Sequence, residues 1–220
     1  MCVFHSFLIQ RLIGNVITLF VAGADTTAIL MAWMFKFIAE DAELQARLKK
    51  EADAYDFDAL KEPGSRFDEV LEKLPLFHAV VLETLRTNGA VSDMMLVNSE
   101  RVTVLGKEFA PGTTFLLLYE YAMTTVHGGA EEFFGKEPEK FNADRWLEAD
   151  RIKSAAGLLS FGNGARICPG KDLAKIEAVV CVGMVLKKFK SMRLEEGHAE
   201  VKKIHRAVIA PDRDIRVVFE

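Results

Sequence analysis

The feature that most limits how this chain can fold is the apolar run from Leu12 to Phe37. As a helix it would be roughly 40 Å long, enough to cross a bilayer whose hydrocarbon core is about 30 Å thick. The run nevertheless holds Asn15, Asp25, Thr26, Thr27 and Lys36. A charge in the middle of a spanning helix is costly. The reading is therefore one long helix over residues 8–39, buried inside a soluble fold. Residues 1–10 carry neither a basic stretch nor a small-residue cleavage site, so no secretory signal is expected.

Such a helix needs apolar partners, and the rest of the chain supplies them. Residues 41–54 are amphipathic, with Leu44 and Leu48 on one face. Pro63-Gly64 marks a loop, and residues 74–87 read as another helix. Residues 101–105 and 113–119 are rich in Val, Thr, Leu and Phe and read as strands joined by a turn at Pro111-Gly112. Residues 124–160 look irregular. Residues 170–188 form a strongly apolar helix, and residues 208–210 and 215–219 read as a short hairpin around Pro211-Asp212-Arg213-Asp214. The fold class is mainly α with small β elements.

Composition narrows the function. Hydrophobic residues make up 50% of the chain and the mean hydropathy is +0.12, an excess that asks for a covered surface. The net charge is −4 with no basic tract, so no nucleic-acid partner is expected. Cys2, Cys168 and Cys181 are too few and too scattered for a disulfide framework, and no Cys-x-x-Cys pair suggests zinc.

The chemistry concentrates in FGNGARICPG, residues 161–170. Phe161, Gly164, Arg166, Cys168 and Gly170 together form a pattern expected by chance in a chain of this size with a probability on the order of 10⁻⁵ to 10⁻⁴. A buried structural cysteine in a glycine-rich turn would not require Phe161 and Arg166 at those offsets. Cys168 sits just before a helix, whose free N–H groups and dipole favour a thiolate. Gly162, Gly164 and Gly170 let backbone approach the sulfur, and Arg166 is placed to pair with a carboxylate.

Upstream, AGADTT (residues 22–27) interrupts the long helix. Gly23 beside Ala22 opens a gap on one face. The Thr26 hydroxyl can bond back to the Ala22 carbonyl and bend the helix. Asp25 beside Thr26 offers either a proton relay or a polar notch that satisfies a buried carboxylate. Glu83 and Arg86 share one helix face, and FNADRW (residues 141–146) places Arg145 downstream.

Taken in order, these blocks resemble the cytochrome P-450 superfamily. The resemblance runs from about Ile13 to Phe219, and residues 1–220 read as a partial domain, the C-terminal half of that fold without its N-terminal half. It implies haem b, with Cys168 as the axial ligand to iron. Arg166 would meet a propionate, and Phe161, Gly162, Gly164, Gly170, Ala22 and Gly23 would lie against the cofactor. Asp25 and Thr26 would deliver protons to bound dioxygen. Glu83, Arg86 and Arg145 would form a buried structural network. The implied reaction inserts one oxygen atom from O2 into an apolar organic substrate, with electrons from a reductase or a small iron–sulfur protein. The alternative is a non-catalytic or truncated haem-binding remnant.

By family position, Phe20, Ala22, Val91, Met94 and Ile204 would line the substrate pocket, and Lys171 and Lys175 would help dock the electron donor. The family's usual arginine or histidine is missing near residues 95–97. Membrane attachment would need an N-terminal anchor absent from this sequence. The resemblance points to the endoplasmic reticulum surface or the cytoplasm. Weak haem binding and a tendency to aggregate are expected of a chain with so much uncovered apolar surface.

Overall fold

A computed structural model describes residues 2–147, 156–205 and 208–220. Its backbone is helix α1, Cys2–Glu40, one residue short of the next helix, α2, Ala42–Ala54. Asp41 ends one and starts the other: its side chain accepts from the Leu44 N–H at 2.9 Å, the usual device for satisfying a free N-terminal donor. A short α3, Val70–Lys73, leads into α4, Pro75–Asn88. Proline suits that first turn because its missing N–H would have had no helical partner. The α4 start is held by Glu51 of α2, which accepts from Leu76 N–H and Phe77 N–H, each at 3.1 Å. Burial pushes the Glu51 carboxyl above its ordinary range, and those two N–H bonds oppose the shift.

The core lies where α1, α2, α4 and α7 (Lys171–Lys188) meet. Leu30, Met34 and Ile38 recur every fourth residue on α1, as do Leu44, Leu48 and Ala52 on α2. Phe77, Val80 and Val81 of α4 and Val179, Val182 and Leu186 of α7 close it. The expected long buried helix is thus half right. Packing reaches only the C-terminal part of α1, and the apolar residues from Ile9 to Val21 are exposed, Phe20 at 75%. By length and composition alone α1 is able to cross a membrane, with mean hydropathy 1.7 over an 18-residue window within Ile9–Glu40.

The described residues also form four two-stranded antiparallel sheets. Here the structure corrects the sequence reading. Residues 101–105 and 113–119 do not pair with each other. Strand β2, Val102–Val104, turns at Leu105-Gly106 to pair with β3, Lys107–Phe109. Strand β4, Thr114–Leu118, pairs with β1, Asp93–Val97, which was read as no strand at all. The C-terminal hairpin is also wrong. Strand β7, Ile209–Pro211, pairs with β6, Lys203–His205, whereas β8, Val217–Phe219, pairs with β5, Met192–Leu194. The stretch read as irregular contains α5, Tyr119–Thr124, in its first residue, α6, Ala130–Phe134, and a 3-10 turn over Ala143–Trp146. Part of that stretch, residues 148–155, lies outside the described residues.

Candidate haem-thiolate site

The cysteine loop folds as its glycines require. Gly162 and Gly164 have φ of 70° and 72°, backbone that a side chain would strain. Gly162 N–H donates to Leu159 O at 2.8 Å, and Cys168 N–H donates back to Phe161 O at 2.9 Å, closing the loop. Gly170 caps α7, and a Cβ there would come within 3.9 Å of the Cys168 sulfur. Cys168 therefore stands two residues before the helix cap, with its thiol exposed.

That thiol faces a cavity of about 320 Å³. Helix α1 contributes Ala22, Thr26 and Thr27 to the same lining. The Thr26 hydroxyl donates to Ala22 O at 2.8 Å, as its spacing predicts. Phe161, Gly162 and Arg166 border the same cavity; Gly23, Asp25, Gly164 and Gly170 do not. Gly23 opens into free space and Asp25 is exposed. Of the residues read as pocket wall, Ala22, Val91 and Met94 line the cavity, whereas Phe20 and Ile204 do not. The sequence reading gave no place in the cavity wall to Thr27, Tyr119 or Ser160, nor to Leu30, Leu85 and Ala90, and it noted Ala174 only as matching the family pattern. Thr27 was legible in principle, since it ends the AGADTT block.

Behind the loop lies the ion-pair set. Glu83 and Arg86 are wholly buried and Arg145 is 8% exposed. Arg86 binds both Glu83 oxygens at 2.8 Å, and Arg145 Nε reaches Oε1 at 2.9 Å. Asn142 N–H and Trp146 Nε1–H also donate to Glu83, each at 2.8 Å. The remaining Arg86 donors go to the carbonyls of Met123, Pro138 and Lys140. All five guanidinium donors are thus used. Arg145 further donates to the carbonyls of Phe134 and Lys140. Two cations face one carboxylate, and these carbonyls offset the excess positive charge. Asp144 is bound by Arg47 through two contacts, 2.6 and 3.0 Å, and the guanidinium holds its carboxyl below the ordinary carboxylate range.

Sequence comparison supplies the context. The family model described as cytochrome P450 matches residues 5–219. The chain belongs to the cytochrome P450 family. Human mitochondrial 25-hydroxyvitamin D-1 alpha hydroxylase is 32% identical over 96% of this chain and 40% of its own length. Cytochrome P450 monooxygenase ptmK of Penicillium ochrochloron is 30% identical over 89% of this chain and 38% of its own. The mitochondrial cholesterol side-chain cleavage enzyme of Ovis aries is 27% identical over 98% and 39%. The chain spans about 40% of the length of these curated relatives.

Within this P450 chain the residues present fit a haem-thiolate centre. A thiol opens into an apolar cavity, an arginine borders it, and among the described residues that arginine carries no ion pair. The expected endoplasmic-reticulum setting finds no support in these relatives' names, two of which state a mitochondrial one. Lys175 is not the free docking charge the sequence suggested: it is buried and paired with Asp172 at 2.8 Å.

Proposed function

We propose that this chain is the iron-holding part of a haem-thiolate monooxygenase that inserts one oxygen atom from O2 into an apolar organic substrate. The observation that carries the reading is that Cys168 and Thr26, from two motifs far apart in the chain, line one cavity. Cys168 would hold the iron, with Arg166 near a propionate and Ala22, Phe161 and Gly162 against the ring. Bound haem would supply the redox centre at which O2 is activated, and the thiolate's electron donation favours O–O cleavage. Electrons would come from a reductase or a small iron–sulfur protein.

The chain's own contribution is to position groups and exclude water. Leu30, Leu85 and Met94 give the cavity apolar walls. The Thr26 hydroxyl gives its hydrogen to Ala22 O and keeps its oxygen lone pairs for a second partner. Asp25 exchanges protons with solvent from its exposed place on the same turn. Neighbouring helical residues point about 100° apart, so a water must bridge Asp25 to Thr26 in this relay. That separation is also what favours the second reading, a haem-binding remnant without turnover.

Thr26→Val separates the two. At saturating haem, with reductant and O2, the variant should take up haem within about twofold of wild type, because only a hydroxyl is exchanged for a methyl. The share of reducing equivalents released as hydrogen peroxide should rise severalfold. Equal peroxide release from both proteins would remove Thr26 from the relay and support the remnant.

A further inference from the structure

A second cavity, of about 680 Å³, adjoins the one that Cys168 faces. The two share Met94, Tyr119, Gly162 and Arg166. Only Tyr119 and Arg166 carry polar side chains at that seam. Each has unused hydrogen-bonding capacity. Arg166 is exposed and carries no ion pair among the described residues. Tyr119 is 8% exposed, and among the described residues its hydroxyl meets only the Met94 sulfur, at 3.5 Å. A thioether is a weak acceptor, and a buried phenol ordinarily finds a strong one. The surrounding strands offer no competing cation. The second cavity takes Met94 and Leu96 from β1 and Leu116, Leu117 and Leu118 from β4. Asn163 also borders it, and its side-chain oxygen is engaged by Gly164 N–H at 2.7 Å.

A guanidinium and a phenol lining one otherwise apolar seam offer two donors for a carboxylate. We infer that the Tyr119 hydroxyl, together with Arg166, grips a carboxylate of the cofactor. This role for Tyr119 rests on the haem reading above and extends it to a residue outside every motif. The hydroxyl hydrogen has two orientations close to the ring plane, and the one turned away from the Met94 sulfur is available to an incoming carboxylate. The phenol thereby supplies the second contact that β1, with Met95, Leu96 and Val97, does not provide.

The test compares haem with its dimethyl ester, which keeps the ring and iron but lacks both carboxylates. Each is titrated into the chain and followed by absorbance. Tyr119→Phe is nearly isosteric, and its urea midpoint checks that the fold is kept. The variant should bind haem about tenfold more weakly than wild type, the usual loss for a hydrogen bond to a charged group, and bind the ester unchanged. Arg166→Gln, at an exposed position, should show the same selectivity. The double variant should lose less than the sum of the two, because both donors serve one group. An equal loss for haem and ester, or no loss for haem, overturns the role of Tyr119 while leaving the haem site standing. Binding of neither compound to wild type overturns the haem reading and this inference with it.

Discussion

Replacing Glu83 with alanine should destabilise the chain by about 3–5 kcal/mol, a large share of the roughly 5–15 kcal/mol that a folded protein has to lose. The carboxylate accepts from Arg86, Arg145, Trp146 and Asn142 at 2.8–2.9 Å. Without it, two guanidinium groups remain in a dry interior with only carbonyl partners, and an indole N–H loses its acceptor. Glu83→Gln should cost less, since one amide oxygen still accepts, but it leaves both cations uncompensated. Urea unfolding followed by far-UV circular dichroism measures the effect. A loss below about 1 kcal/mol for the alanine variant would mean that water reaches the network and that it does not hold the 3-10 turn at Ala143–Trp146 onto α4.

The second large effect is expected at Gln45, whose buried amide ties three elements together. Its Nε2 donates to Ile38 O in α1 at 3.2 Å and to Met192 O at 2.9 Å, and its Oε1 accepts from Met192 N–H at 2.9 Å. Gln45→Ala strands Met192 N–H and two carbonyls, each unpaired buried group costing about 1–3 kcal/mol. A total near 3 kcal/mol is expected, since the carbonyl of Ile38 retains its helical environment. Hydrogen exchange should speed up first at Met192–Leu194 and at its partner strand Val217–Phe219. Unchanged protection there would show that strand pairing alone secures β5.

The parts of this fold that were legible in the sequence are those set by neighbouring residues. Helix periods and the glycine backbone of the cysteine loop follow from local chemistry, and α1, α2, α4 and α7 lie where the pattern puts them, whereas the short helices α3, α5 and α6 carry too few turns to show a period. The strand partners were not legible, because pairing is decided over distance. Leu105-Gly106 makes the β2–β3 turn with φ of 49° and 76°. A two-residue turn of that kind normally announces itself by Asn-Gly or Asp-Gly. Leucine at positive φ hides it, and Pro111-Gly112 then looks like the hairpin turn. It serves instead as the approach to β4, with Gly112 N–H bonded to Asn98 O at 2.8 Å.

The site divides in the same way. Cys168, Arg166 and Thr26 sit in short motifs whose spacing carries their chemistry, and the structure brings all three to one cavity. Glu83 and Arg86 lie one helical turn apart and Arg145 lies 62 residues beyond Glu83, yet all three meet as the family resemblance implies. Trp146 and Asn142 complete that network from the same hexapeptide as Arg145, but nothing in the residue pattern ties an indole to a carboxylate many residues earlier. Tyr119 had no signal at all. It follows an apolar strand, and only the fold places it beside the cysteine loop, where both line one cavity. Asp25 runs the other way: its motif was plain, and its exposed side chain was not.

The most direct test of the central claim is the carbon monoxide difference spectrum of the reduced chain at saturating haem, for wild type and Cys168→Ala. The account predicts a strongly red-shifted Soret band for wild type, the mark of thiolate ligation, and its disappearance in the variant while haem still binds. A band at the position of ordinary histidine-ligated haem in wild type, or a red-shifted band that survives Cys168→Ala, would contradict it.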